Sequence, residues 1–387
     1  MTRTRLSFID ALQASLPENK TALQCSAWKR FDEMGLPTRK TEAFRELPLH
    51  HLYSQDFLKG VEQNITEQPE GVIAQPFSQA QKSYGTLLRN NLNRATLKEQ
   101  DPFLLLTTAL CPDGLFLYVP PNTCLEEPIE LKRRGGEIQM PHTFLYVGAG
   151  SRVSIVLQRE ASSFFNGLTD IVVGEGAEVE VTQNGLDIPS DSCYFDALRV
   201  SLKKDCTFSN SVITRGSKLM RHFIAADLLG EGAKASVNGV SLLSDNRESH
   251  QRVLINHAVP GCISRQCTKN VLSGKSRSSV GGCVFVDSSA QNTDAHQLNQ
   301  NLLLSDAAQA IAKPHMEILA DDVKASHGAT FGQLSDEQLF YFKTRGVSDK
   351  MAKSLLILGF CKEVIDAIPS RELKNQAATV ALTFEEE

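Results

Sequence analysis

From residue 119 onward the chain repeats itself. VPPNTCLEEPIEL begins at Val119, VGAGSRVSIVL at Val147, VGEGAEVEV at Val173, LKKDCTFSNSV at Leu202, LGEGAKASV at Leu229 and VPGCIS at Val259. Successive starts lie 147 − 119 = 28, 173 − 147 = 26, 202 − 173 = 29, 229 − 202 = 27 and 259 − 229 = 30 residues apart. Each unit holds a branched apolar residue, a turn and an alternating run. One such strand-turn-strand unit cannot bury its apolar face alone, so neighbours must stack and share a continuous core. A parallel β-helix is the natural solution. A sandwich would instead favour two-residue hairpin turns, and Asn-Gly signals occur only at Asn184-Gly185 and Asn238-Gly239.

The repeat divides the chain into three. Residues 1–100 read as a helical region: Phe8, Leu12 and Leu16 recur at helical spacing, as do Cys25, Trp28 and Phe31, until Gly35-Leu36-Pro37 stops the run. Gly, Pro, Gln and Ser between Pro69 and Gln81 read as a linker or irregular loop. Residues 101–332 form the β-helix core. Residues 333–387 form a helical end, in which Ser335 and Gln338 make a capping-box pattern, Gly346 closes that helix and Ser348 opens the next. Leu355, Leu358, Val364, Ile365 and Ile368 make the apolar stripe of this second helix. A β-solenoid has open ends whose strand edges invite pairing, and this last region is expected to cover one of them. The acidic tail through Glu385-Glu386-Glu387 is expected to fray.

Composition excludes several classes of function. A net charge of −5 provides no cationic surface for nucleic acid, and Lys132-Arg133-Arg134 and Lys203-Lys204 read as solvated edges. No uncharged apolar run is long enough for a membrane helix, and the first residues lack a signal-peptide core. Nine scattered cysteines suit a reducing, cytoplasmic setting and read mostly as small buried hydrophobes.

The segment from Gln291 to Ile368 resembles the SufB/SufD family of iron-sulfur cluster assembly scaffolds. The resemblance rests on Thr293-Asp294-Ala295, Leu302 through Asp306, Ser326-His327-Gly328-Ala329-Thr330, Tyr341 through Gly346, and Phe360. Glu248 to Ile263 and the TEAFRE run around Glu42 also fit. His-Gly-Ala-Thr at His327 looks like the SufD branch, because the SufB branch typically carries His-Glu-Ala there. The resemblance implies a right-handed parallel β-helix between helical ends, paired with a SufB-type subunit through β-helix edges, with the C-terminal helices docking a SufC-type ATPase. Gln338, Tyr341, Arg345, Leu355, Leu358 and Phe360 are the candidate docking residues. The reading is of a non-catalytic scaffold with no stably bound cofactor.

The resemblance also makes His327 a candidate ligand for iron or a transient cluster at the heterodimer interface. An imidazole ligand needs an acceptor for its other ring nitrogen, and Asp321, Asp322 or a backbone carbonyl is expected to supply it. Many SufD-type sequences have Cys two residues earlier, where this chain has Ala325, so that thiolate must come from elsewhere. Alone, a histidine among small residues is more often structural. Cys262 and Cys267 lack a second pair at zinc-site spacing and, on one strand, would face opposite sides. Cys283 reads as core, and His222, His250, His257 and His296 carry no assignment. Gly274-Lys275-Ser276 lacks the upstream glycine and helix of a P-loop. A β-helix carbohydrate-active enzyme is the alternative from another class, with Asp321-Asp322 as its adjacent carboxylates. The same edges would permit a homodimer.

Overall fold

The computed structural model describes residues 5–58, 71–133, 137–159 and 162–384. The side chains of Lys132, Arg133 and Arg134, the start of the expected linker at Pro69, and the acidic end at Glu385 to Glu387 lie outside the described residues.

The repeat becomes two sheets of a parallel solenoid of about seven turns. One sheet has eight strands, running from Ile129–Arg133 to Val323–Gly332 in the order of the chain's alternate strands; the other has ten and ends at Gln309–Ile318. Every strand pair along both stacks from Leu115 onward is parallel. One rung occupies 178 − 152 = 26 residues from Arg152 to Glu178 and 313 − 281 = 32 from Gly281 to Lys313. Asn184-Gly185 and Asn238-Gly239 lie inside strands Glu178–Gly185 and Lys234–Leu243 rather than in hairpins.

One corner explains why the turn residues recur. Asn122, Gly150, Gly176, Asp205, Gly232, Gly261 and Asn292 all adopt positive φ, between 54° and 72°. Most of them donate a backbone hydrogen bond to the next rung, as Gly150 N does to the Glu175 carbonyl and Gly176 N to the Lys204 carbonyl, both at 2.9 Å. Only Gly, Asn and Asp enter this region at little cost. The corner therefore fixes the residue type once per turn.

Inward-facing Val153, Ile155, Leu157, Val179, Val181, Leu198, Val200, Ile224 and Ile255 belong to one buried cluster along the solenoid. The N-terminal helices, α1 (Phe8–Ala14), α2 (Ala22–Met34), α3 (His50–Tyr53), α4 (Phe77–Leu88), α5 (Arg94–Lys98) and α6 (Pro102–Leu110), gather mainly against the outer face of the ten-stranded sheet. Phe8, Phe44 and Phe103 meet Phe164 and Phe195 there. The expected loop before Gln81 is instead strand Ile73–Pro76 followed by α4: Ile73–Pro76 pairs with Leu115–Val119, so sheet pairing outweighs the turn-like composition. Cys25 is exposed, and α2 buries Gln24, Ala27 and Phe31 in its place.

Salt bridges lock the helices down. Arg199 grips Asp170 at 2.7 Å and Glu99 at 2.6 Å, and His142 Nε2 lies 2.7 Å from Asp170. Burial alone would raise the Asp170 pKa, but the Arg199 guanidinium and His142 overcome it and hold the carboxyl at about 2. Arg221 pairs with Asp101 at the start of α6.

At the other end, α7 (Asp336–Thr344), α8 (Asp349–Asp366) and α9 (Arg371–Leu382) turn back from the solenoid's last strand. Ile357, Cys361, Val364, Ile365 and Ile368 pack on Ile213, Val240, Leu242 and Val271 of the eight-stranded sheet. This corrects two expectations. Leu355 is exposed and Leu358 only half-buried, because the buried stripe runs through Ile357 and Cys361. The helices also cover a sheet face, where Ile213, Val240, Leu242 and Val271 offer an apolar surface, and leave the solenoid's last strand exposed.

Candidate functional site: the open end of the solenoid

In the eight-stranded sheet one inward-facing row changes character from rung to rung. It reads Ile129, Ile155, Val181, Asn210, Val237, Gln266, Gln297, His327. The aliphatic members lie in the solenoid core, whereas Gln266 and Gln297 are polar yet no more than 8% exposed. Neighbouring rows follow the same change: Asn270 Nδ2 donates to Asn301 Oδ1 at 2.9 Å, and Asn301 Nδ2 to the Thr330 carbonyl at 3.1 Å. Gln266 Nε2, both amide atoms of Gln297 and Asn299 Nδ2 have no hydrogen-bond partner among the described residues. Buried polar atoms left in this way cost free energy. The lumen beneath the last rung is thus suited to a polar guest, unlike the apolar lumen at the first rungs.

His327 ends this row on strand Val323–Gly332, which is exposed over nearly all its length. Ala325 continues the neighbouring row from Ala295. Among the described residues the His327 side chain makes no hydrogen bond. Asp321 and Asp322 precede the strand, so at ~3.3 Å per residue Asp322 lies about 16 Å back along the chain. Neither carboxylate orients the imidazole, contrary to expectation, because the intervening segment is extended. The adjacent row is occupied: His296 holds Ser326 Oγ through Nδ1 and Asp294 through Nε2 at 2.8 Å, and Arg265 pairs with Asp294 at 2.7 Å. His296 thereby ties the last rung to the one beneath it. Phe331 and Leu319 add exposed apolar surface, at 52% and 54% exposure.

The C-terminal helices present a second surface. Gln338, Tyr341, Arg345 and Leu355 are exposed, with the Arg345 guanidinium 5.2 Å from the Tyr341 ring centre. Phe340 and Met351 are exposed beside them, at 67% and 51%. Leu358 and Phe360 face back toward the sheet, where the Lys269 amine lies 5.3 Å from the Phe360 ring. Phe340 and Met351 escaped sequence reasoning because an apolar residue in a helix is ordinarily assigned to the packed face.

Among the described residues the cysteines converge on no metal site. Cys262 is buried in the solenoid core and Cys267 packs under α8, on opposite faces as its spacing implied. Burial pushes the Cys193, Cys206 and Cys361 thiols up to about 12, so they remain protonated and poor ligands. Cys283, read as core, is only half-buried. It stands in register with Leu254 and His315 on the outer face of the ten-stranded sheet. Gly274 occupies a corner at φ 62° and leads into a strand, not a helix, so no phosphate loop forms. No three His, Cys, Asp or Glu side chains among the described residues converge closely enough to hold a metal ion. No helix among the described residues is long and apolar enough to cross a membrane.

The fold is an open-ended parallel solenoid with packed helical flanks, and known proteins place it in the class of iron-sulfur cluster assembly proteins. Residues 130–360 match the family described as SUF system FeS cluster assembly, SufBD core domain, and residues 57–131 match the SufBD protein N-terminal region. The chain belongs to the SufBD family and is SufD-like. The iron-sulfur cluster assembly protein SufD of Escherichia coli is 28% identical over 373 residues, 88% of each chain. The SufBD family protein slr0076 of Synechocystis is 29% identical over 81% of this chain and 72% of its own. The chloroplastic protein ABCI7 of Arabidopsis thaliana is 30% identical over 69% of this chain and 59% of its own.

Proposed function

We propose that this chain is a non-catalytic scaffold subunit whose uncovered last rung pairs with a SufB-type subunit, and whose C-terminal helices dock a SufC-type ATPase. The observation carrying this reading is the exposed strand Val323–Gly332, left open because α7 to α9 fold onto the sheet face. An exposed strand with unpaired edge groups is a template for another chain, and Phe331 and Leu319 add apolar area to it. Gln338, Tyr341, Arg345 and Leu355 form the exposed part of the ATPase-docking surface.

The iron or nascent cluster is cargo rather than a resident cofactor. His327 supplies one neutral imidazole ligand at the seam, and the partner supplies thiolate, since Ala325 cannot. Unpartnered Gln297 lies one rung beneath and offers its amide to that cargo. Nine free cysteines accord with work in a reducing, cytoplasmic compartment.

Co-expression with SufB-type and SufC-type partners, followed by size-exclusion chromatography, tests the assembly. A ternary complex is expected; a chain that elutes only with itself would replace this reading with the homodimer. His327→Ala should leave the complex intact while lowering its iron and acid-labile sulfide content. Unchanged content removes His327 from the ligand set.

A further inference from the structure

Where the N-terminal segment Glu42 to Leu47 crosses the ten-stranded sheet, it roofs a small groove of about 70 Å³. The floor is one outward-facing row, Phe223, Arg252, Gly281 and Lys313, on adjacent strands. Gly281 has nothing within 4 Å of the place a Cβ would occupy, so the space between the two cations is open. Strands two apart are separated by about 9–10 Å, a gap that a small oxyanion spans.

The cations around this gap differ in how they are matched. Arg221 pairs with Asp101 and lies over the Phe44 and Phe223 rings. Lys313 and Arg277 converge on the two carboxylate oxygens of Glu46. His250 is held between Ser279 Oγ and Glu248, each at 2.7 Å. The Arg252 side chain is half-buried and makes no ion pair or hydrogen bond among the described residues. Glu42 lines the same groove without reaching it. Burial, and then the nearby Arg221 guanidinium, lowers the Arg252 pKa from its ordinary value. The Asp101 and Glu42 carboxylates oppose that shift only from beyond ion-pair distance, so no counter-charge contacts the guanidinium, and its planar fork matches carboxylate and phosphate oxygens.

We propose that this groove is a binding site for a small free oxyanion, a phosphate or carboxylate, gripped by Arg252 above Gly281 with Lys313 on the far side. The site is remote in sequence from His327 and independent of the scaffold reading. Two variants probe it separately. Arg252→Gln removes the fork. Gly281→Val keeps every charge but fills the gap, and a β-branched residue suits a strand.

The test is isothermal titration of the full chain with inorganic phosphate and, separately, with succinate, at fixed ionic strength set by sodium chloride. Saturable binding of at least one probe is expected, and its identity distinguishes the two head groups. Each variant should weaken that binding at least tenfold, while Arg345→Gln, on the C-terminal helices, leaves it unchanged. Absence of saturable binding by either probe, or binding that survives both variants, overturns the proposal.

Discussion

Replacing Arg199 by Met would test whether buried charge fastens the helical region to the solenoid. The guanidinium is 16% exposed and holds two carboxylates that are themselves nearly buried, Asp170 at 2.7 and 3.0 Å and Glu99 at 2.6 Å. Removing one partner of such a group leaves uncompensated charge, a loss of roughly 3–5 kcal/mol. The lowered Asp170 pKa gives an independent magnitude. A drop from 3.8 to about 2 corresponds to about 2–3 kcal/mol of stability at neutral pH, shared between Arg199 and His142. Glu99, whose pKa burial already raises, can take up a proton in the variant and recover part of the loss. A net cost of about 3 kcal/mol is therefore expected at pH 7, read as a lower midpoint in urea unfolding followed by circular dichroism. The sign with pH follows from the direction of the shift. Because the folded Asp170 pKa is depressed, its contribution is complete above the unfolded value near 4 and fades as pH falls toward 2. Wild type and variant should accordingly draw together as pH falls from 4 and converge only near pH 2. Equal midpoints at pH 7, or a difference that widens between pH 5 and 3, would refute the reasoning.

Further outcomes follow from single positions. Gly176→Ala should destabilise the chain by about 1–2 kcal/mol through its left-handed backbone alone, since the added Cβ meets nothing within 4 Å; thermal unfolding checks it, and an unchanged midpoint would mean the corner relaxes. Ile357→Ala, 1% exposed under α8, should cost about 2–5 kcal/mol, whereas Leu355→Glu, exposed on the same helix, should leave the melting temperature unchanged and weaken ATPase binding in a pull-down. Phe331→Glu should leave the monomer's circular dichroism unaltered and abolish co-elution with a SufB-type subunit; persistent co-elution would place the seam elsewhere.

The solenoid was legible because its corner demands Gly, Asn or Asp once per rung, a constraint that surfaces as a period even where the strands diverge. The helices at both ends were legible as helices and largely in their facing, since Phe8, Leu12, Phe31, Val364, Ile365 and Ile368 are buried, but single positions went astray. Cys25 and Leu355 satisfied the spacing of an apolar stripe, and the structure turned each outward because a neighbouring set packed better. The stretch before Gln81 failed for a related reason. Its composition describes a local preference, and pairing with Leu115–Val119 overrode it.

The polar lumen was hidden more thoroughly. Ser264, Gln266, Thr268 and Asn270 alternate with Ile263, Arg265, Cys267 and Lys269, and an alternating strand normally turns its polar set to solvent. In this solenoid the buried set is the polar one, because the opposite face of the same strand is needed beneath α8. Two faces then compete for one apolar alternation, and the lumen gives way progressively toward the open end. That inversion explains how Gln297 and His327 come to share a row with Ile155 and Val181. The proposed seam follows from the same inversion: a polar last rung gains little from a hydrophobic cap, and its exposed edge suits a partner that brings polar groups of its own.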